Sequence, residues 1–421
     1  MRVNHLQTPA GLRDVLPEEY DRKMALRERI GRVFSGFGYR GVESPLLEYR
    51  EVFDLDDTQM YKLFDRDGAA LALRADMTPP IARMAATAYA GETGPLRFYY
   101  FGDAFRENRG YQGKQRQFTQ AGVELLGATG PAADGEVLAL AVESLRACGL
   151  TDFRIHVGHA EFFKGILEES GLAEDQGRAL QETVAQRDFV ASEELVQTLP
   201  LTPEQQELLL ALPRLVGDVE VLTQAAEMTR SHQALAALAQ LRELNEILVA
   251  YGVAESVRFD LGLVNQLNYY TGILLRGYAY GSGYSLVDGG RYDNLGQRFG
   301  RPRPSVGFAI RLGGLLDALR YQGAEPESSR VETLVTYTAE ARSEALGAAA
   351  DFRHWEQSLE VALEPQTAES AVELARQRGM QRLLHFTGNG RIRVFLFVEE
   401  GTFSLETTRD ELLKNLEEAQ A

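Results

Sequence analysis

Three stretches of the chain set polar side chains among apolar ones at a two-residue spacing. Arg74, Asp76 and Thr78 alternate in LRADMT, Gln120, Gly122 and Glu124 in TQAGVELL, and Tyr270 and Gly272 in YYTGI; Asp288 stands just before GGRYD. Residues i and i+2 of an extended strand share a face, so each stretch is expected to present its polar set on one side of a sheet. The neighbouring Leu71, Leu73, Val123, Leu125 and Leu126 are apolar, which argues against ordinary solvated strands. Gly102, Gly122, Gly272, Gly289 and Gly290 remove side chains where another group can approach closely. Two carboxylates and a glutamine suit a ligand that carries an ammonium and a second donor such as imidazole. A plainer reading makes Asp76 and Glu124 salt-bridge partners of Arg74 and Arg106. The residues alone therefore reach an antiparallel sheet with a polar small-molecule site.

Other chemistries find less support. The histidines are His5, His156, His159, His232, His354 and His385, and none forms a metal-ligand spacing with a cysteine or a second histidine. No phosphate loop, dinucleotide fingerprint or nucleophile elbow is present. The glycines of GYAYGSGYS sit between two strand patterns and read as a hairpin. No metal or cofactor is expected. Cys148 is the only cysteine, so an intramolecular disulfide is impossible and a buried small hydrophobe is expected there. The formal net charge of −17 disfavours nonspecific polyanion binding. No apolar run is long enough to cross a bilayer, and MRVNHLQTPAGLRDVLPEEY lacks an apolar signal core. A cytoplasmic protein with no membrane contact is expected.

The elements that must position these residues follow from periodicity. Residues 18–36 place Met24, Leu26, Ile30, Val33 and Phe34 at helical spacing, and a short strand ending at Pro45 follows. LFDRDG and AALALRADMT read as a hairpin, and PPIARMAATAYA as a helix with prolines in its first turn. LRFYYFGDAF and RQFTQAGVELLG are β-rich, DGEVLALAVESLRACGL is helical and FRIHVGH is a strand. Residues from about 160 to 256 are helical; VRFDLGLV, YYTGILLRGYA and YSLVDGG bring back strand signals, and SVGFAIRLGGLLDAL passes from strand to helix. The polar segment RYQGAEPESSR reads as a linker. Beyond it the order is β-α-β-α-β-β-α, a small α/β domain. The expected domains are 1–320, with a helical insert at about 160–256, and 331–421.

These motifs, in this order, resemble the core of a class II aminoacyl-tRNA synthetase, and most the histidyl enzyme. TPAGLRDVLPEE resembles the N-terminal signature and GYRGVESPLLE the dimer-forming motif 1, ending at Pro45. LRADMT resembles the segment that contacts the α-amino group. FGDAFRENRGYQGKQRQFTQAGVELLG resembles motif 2 with the strand after it. NQLNYYTGILL and DGGRYDNL resemble the histidine-recognition segments, and SVGFAIRLGGLL lies at motif 3. The resemblance covers about residues 7–320. It implies an α+β fold: a synthetase-like antiparallel sheet flanked by helices, with the helical insert and the small C-terminal α/β domain, which resembles an anticodon-binding domain.

The departures shape the functional expectation. Motif 2 reads Phe105-Arg106-Glu107-Asn108, with Asn108 in place of the adenine-contacting glutamate. Asn265 and Asn268 stand where the catalytic arginine and the following aspartate belong. Gly313 and Gly314 replace the Glu-Arg pair that ends motif 3, and Arg311 lies three residues before the lost arginine. The resemblance implies that the histidine pocket is kept, in Asp76, Thr78, Arg106, Gln120, Glu124, Tyr269 and Tyr270. A kept amino-acid pocket beside a dismantled nucleotide site resembles the regulatory subunits of ATP phosphoribosyltransferase. That resemblance implies a non-catalytic subunit that binds L-histidine, confers feedback inhibition and pairs with a short-form catalytic subunit as a homodimer within a hetero-oligomer. The alternative is a catalytically altered synthetase paralogue acting on another target. Residues 331–421 carry 16 acidic and 9 basic residues, a net −7, and tRNA is not expected as a partner.

Overall fold

The computed structural model describes residues 6–107, 115–264, 270–328, 331–355, 358–399 and 401–420, without the side chains of Phe189 and 415–420. Asn108, Asn265, Asn268 and Tyr269 lie outside the described residues. The chain divides into two compact units, residues 1–327 and 328–421.

The first unit opens with α1 (Pro17–Gly36), which starts on a proline and buries Leu26, Ile30 and Phe34 at i, i+4 spacing. Strands β1 (Arg40–Gly41), β2 (Leu47–Tyr49), β3 (Lys62–Phe64) and β4 (Ala70–Leu73) lead to α2 (Thr78–Thr87). Two ten-residue strands follow, β5 (Leu96–Phe105) and β6 (Gln117–Leu126), then α3 (Gly130–Ala147) and β7 (Phe153–His159). The insert comprises α4 (Ala160–Ser170), α5 (Glu174–Gln186), α6 (Phe189–Thr198), α7 (Pro203–Ala211), β8 (Val216–Gly217), α8 (Glu220–Met228) and α9 (His232–Ala250). The unit closes with β9 (Val257–Asp260), β10 (Ile273–Ala279), β11 (Val287–Arg291), β12 (Ser305–Arg311) and α10 (Leu312–Tyr321).

Nine of these strands form one sheet in the order β1-β5-β6-β12-β11-β10-β7-β9-β8. Its pairings are antiparallel except β1 with β5 and β7 with β9. Helices α1, α3 and α10 cover one face, where Phe34, Val137, Leu138 and Leu315 pack against Val123, Leu125, Val306 and Phe308. Alternation along β6 therefore sends Gln120, Gly122 and Glu124 to the other face. There α2 packs at one end, where Ile81, Ala85 and the preceding Met77 meet Phe98 and Tyr100.

The insert is clamped to the sheet by a buried carboxylate. Asp260, fully buried at the end of β9, accepts from His156 Nδ1 at 3.0 Å and from the Arg187 guanidinium. Arg187 ends α5 in a left-handed conformation, φ 55°, which a β-carbon disfavours.

The second unit holds β13 (Thr333–Tyr337), α11 (Arg342–His354), β14 (Leu359–Val361), α12 (Ala368–Gln377), β15 (Arg382–Gly388), β16 (Arg391–Val398), β17 (Gly401–Thr408) and α13 (Arg409–Gln420). Its sheet runs β14-β13-β15-β16-β17. Strand β17 is one more than the sequence pattern indicated.

Two other expectations change. The strand expected through LRADMT ends at Leu73, so Arg74, Asp76 and Thr78 do not share a sheet face. The chain turns there so that α2 can start at Thr78. The strand expected in YYTGILL starts only at Ile273, leaving Tyr270 before it.

Candidate functional site

Strand register builds one polar floor from four strands. Gln120, Gly122 and Glu124 of β6 lie opposite Arg311, Ala309 and Gly307 of β12. Ala309 in turn lies opposite Asp288 of β11, and Asp288 opposite Arg276 of β10. A cavity of about 290 Å³ opens on this floor. Asp76, Thr78, Arg106, Gln120 and Tyr270 line it, as do Arg276, Ser285, Asp288, Tyr292 and Arg311. The structure thus brings together five of the seven residues named from the sequence. Glu124 joins them through its neighbours, and Tyr269 lies outside the described residues.

Glu124 is 1% exposed. Its carboxyl accepts from the Thr78 hydroxyl at 2.7 Å and from the Tyr292 phenol. Burial pushes the group up to about 8; the two hydroxyls act in the opposite direction, and the nearby Asp76 adds to the rise. At neutral pH this carboxyl therefore favours its proton. Gly307 is required beside it, because a β-carbon there would collide with the Glu124 carboxyl and the Val123 carbonyl. Gly122 has the same need, facing the Tyr100 phenol and the Phe308 carbonyl.

Asp76 is held by Arg106, whose Nη2 donates at 2.9 Å while its Nε donates to the Ala75 carbonyl at 2.8 Å. The Thr78 amide donates to the other Asp76 oxygen at 3.0 Å, so the carboxylate also braces the start of α2. Part of the salt-bridge reading is thus correct for Asp76. Arg74 is structural: its guanidinium donates to the carbonyls of Ser44 at 2.6 Å and Asp103 at 2.7 Å. Gln120 is 8% exposed, and its side-chain oxygen has no hydrogen-bond partner among the described residues.

Arg276, Ser285, Tyr292 and Arg311 were not singled out as ligand contacts from the sequence. Their convergence depends on cross-strand register, which a single segment does not encode; the alternation of Arg276 with Leu275 and Gly277 was the local signal.

A second cavity, of about 240 Å³, adjoins the first and shares Arg106 and Arg311 with it. Phe118 lies between these two guanidiniums, at 5.8 and 5.3 Å from its ring centre. Gly313 and Gly314 border this cavity. A β-carbon on Gly314 would stand 2.9 Å from Tyr284 Cε2 and 3.0 Å from Leu286 Cδ2, so the space beside it is already filled.

Comparison with known proteins agrees with this architecture. The family profile described as histidyl-tRNA synthetase matches residues 11–315. The crystal structure of an ATP phosphoribosyltransferase regulatory subunit/histidyl-tRNA synthetase from Bacillus halodurans superposes with a TM-score of 0.84 at 31% identity, over 92% of this chain and 100% of that one. A histidyl-tRNA synthetase from a Nostoc species superposes at 0.83 with 22% identity, over 99% and 100% of the two chains, a likeness of fold alone. The fold is that of a histidyl-tRNA synthetase-like protein. Among curated relatives, an ATP phosphoribosyltransferase regulatory subunit from Acetivibrio thermocellus is 38% identical over 97% of this chain and 99% of its own. Another so named, from Desulfitobacterium hafniense, is 38% identical over 90% and 97%. The chain belongs to the family of ATP phosphoribosyltransferase regulatory subunits.

Proposed function

We propose that this chain is the non-catalytic, histidine-sensing subunit of an ATP phosphoribosyltransferase, serving the first step of histidine biosynthesis and its feedback control. It works in the cytoplasm, as a homodimer within a hetero-oligomer that includes the short-form catalytic subunit, and tRNA is not its substrate. L-Histidine binds in the pocket of Asp76, Thr78, Arg106, Gln120, Glu124, Tyr269 and Tyr270. Asp76 and Gln120 serve the ammonium end, and Glu124 and Tyr270 hold the imidazole. The names of the relatives support the partnership.

One observation carries the non-catalytic reading: a buried carboxyl pocket is kept, while Tyr284 and Leu286 fill the space beside Gly314. Adenylation brings a carboxylate against a phosphate, so cationic groups must stabilise the charge that develops. Removing one such donor costs about 2–4 kcal/mol in the barrier, and the sequence lacks two of the expected arginines. The test is histidine-dependent exchange of pyrophosphate into ATP by the purified chain. Exchange at background level is expected, and turnover at a synthetase's rate rejects the reading.

A further inference from the structure

The cavity lining sets three guanidiniums, those of Arg106, Arg276 and Arg311, against two carboxylates, Asp76 and Asp288. Arg106 is committed to Asp76 and to a backbone carbonyl. Arg276 and Arg311 share one carboxylate, Asp288. Arg276 meets it through Nε at 3.3 Å and Arg311 through Nη2 at 3.6 Å. Both distances exceed the roughly 2.7–2.9 Å of a charge-assisted hydrogen bond. The Ser285 hydroxyl already sits against both Asp288 oxygens, at 2.9 and 2.8 Å. Neither guanidinium forms a two-point fork with Asp288, and the cluster carries one net positive charge.

Its position matters as much as its charge. Arg311 faces Gln120 directly across the β6–β12 pair. Facing side chains on neighbouring strands have β-carbons about 5 Å apart. Gln120 contributes a buried oxygen with no partner among the described residues. An acceptor beside a cation is the arrangement an α-amino acid requires, because its ammonium and carboxylate are attached to a single carbon. Glu124 lies four residues farther along β6, where a side chain with its own polar group would end. The rise in Glu124 to about 8 leaves the excess positive charge uncancelled at neutral pH.

We infer that Arg276 and Arg311, bridged by Asp288, form the subsite that receives the α-carboxylate of the ligand. They take over the role of the arginine that Asn265 replaces, and they make the site selective for a free α-amino acid over the corresponding amine. The inference rests on the histidine reading of the pocket, and the test separates the two.

Calorimetric titration of the full chain with L-histidine and with histamine, which has the same imidazole and amine but no carboxylate, measures the preference directly. Wild type is expected to favour histidine by roughly 10- to 100-fold, the worth of a hydrogen bond to a charged group. Arg276→Gln is expected to bring histidine close to histamine while leaving histamine affinity within about twofold. Arg276→Lys retains charge without the planar fork and is expected to fall between them. If Arg276→Gln fails to fold, Arg276→Lys carries the variant test. Equal wild-type affinity for both ligands overturns the carboxylate subsite and leaves the pocket assignment standing. An undiminished preference in the folded Arg276 variant does the same. Binding of neither ligand by wild type overturns both.

Discussion

Tyr292, just beyond β11, donates its phenol to Glu124 of β6 across 168 positions of sequence. That bond and the one from Thr78 leave the carboxyl fully enclosed. The enclosure gives the carboxyl its raised proton affinity.

The first consequence is a dependence of stability on pH. The Glu124 carboxyl is raised to about 8 from an ordinary 4.5. Between those values the folded chain keeps a proton that the unfolded chain has released. The resulting stabilisation is complete below about 4.5 and is lost as pH rises through about 8. Thermal midpoints of the ligand-free protein are therefore expected to fall from pH 5 to pH 8.5, and those of Glu124→Gln to fall less. Parallel curves for the two proteins would show that another group controls this range.

Ligand binding should be visible as stabilisation. A ligand that binds only the folded state adds about 2.7 kcal/mol at one hundred times its dissociation constant. A thermal-shift series over the twenty amino acids should single out histidine. Glu124→Gln should shrink that shift, since an ionisable acceptor becomes an amide of the same size. An unchanged shift in the variant removes Glu124 from the binding site.

Gly307→Ala tests the close approach of β12 to the carboxyl. The added methyl would meet the Glu124 side chain and the Val123 carbonyl. A loss of about 1–3 kcal/mol is expected from overpacking, with loss of the histidine shift. Urea unfolding with and without histidine reads both. A variant as stable as wild type that still binds histidine would mean the floor yields more easily than its geometry implies.

The clamp on the insert is separable from the pocket. Arg187→Ala removes one of the two side chains that meet the buried Asp260, whose other oxygen has no hydrogen-bond partner among the described residues. A cost of about 1–3 kcal/mol is expected, below that of a fully enclosed pair because Arg187 reaches solvent. Denaturant titration measures it, and no change in midpoint would make the contact incidental.

Assembly offers a fifth test. Light scattering on the chain alone should give at least a dimer, and mixing with a short-form ATP phosphoribosyltransferase at micromolar concentration should give a heavier particle. An unchanged mass on mixing counts against the proposed partnership.

Much of the fold was legible because periodicity is local. Leu26, Ile30 and Phe34 repeat on one helix face, and β5 and β6 alternate over ten residues each. Strand β17 escaped because GTFSLETT is an edge strand with mostly exposed side chains and little burial pattern. LRADMT misled for a different reason. Its alternation is real, but Arg74 leaves the strand to hold the carbonyls of Ser44 and Asp103, contacts set by tertiary structure. The same distinction divides the site. Gln120 and Glu124 were found because one strand carries both, whereas Arg276, Tyr292 and Arg311 reach the pocket by a register that no single stretch records.

The Thr78–Glu124–Tyr292 chain also has a temporal meaning. Its bonds span 46 and 168 residues, so the contact closes long loops and is entropically expensive until most of the sheet exists. A growing polypeptide that has not yet delivered Tyr292 has a carboxyl without its phenol, and a cavity without the β12 wall. The pocket thus exists only in a finished sheet. A complete pocket therefore reports that the chain from α2 to β12 has been assembled.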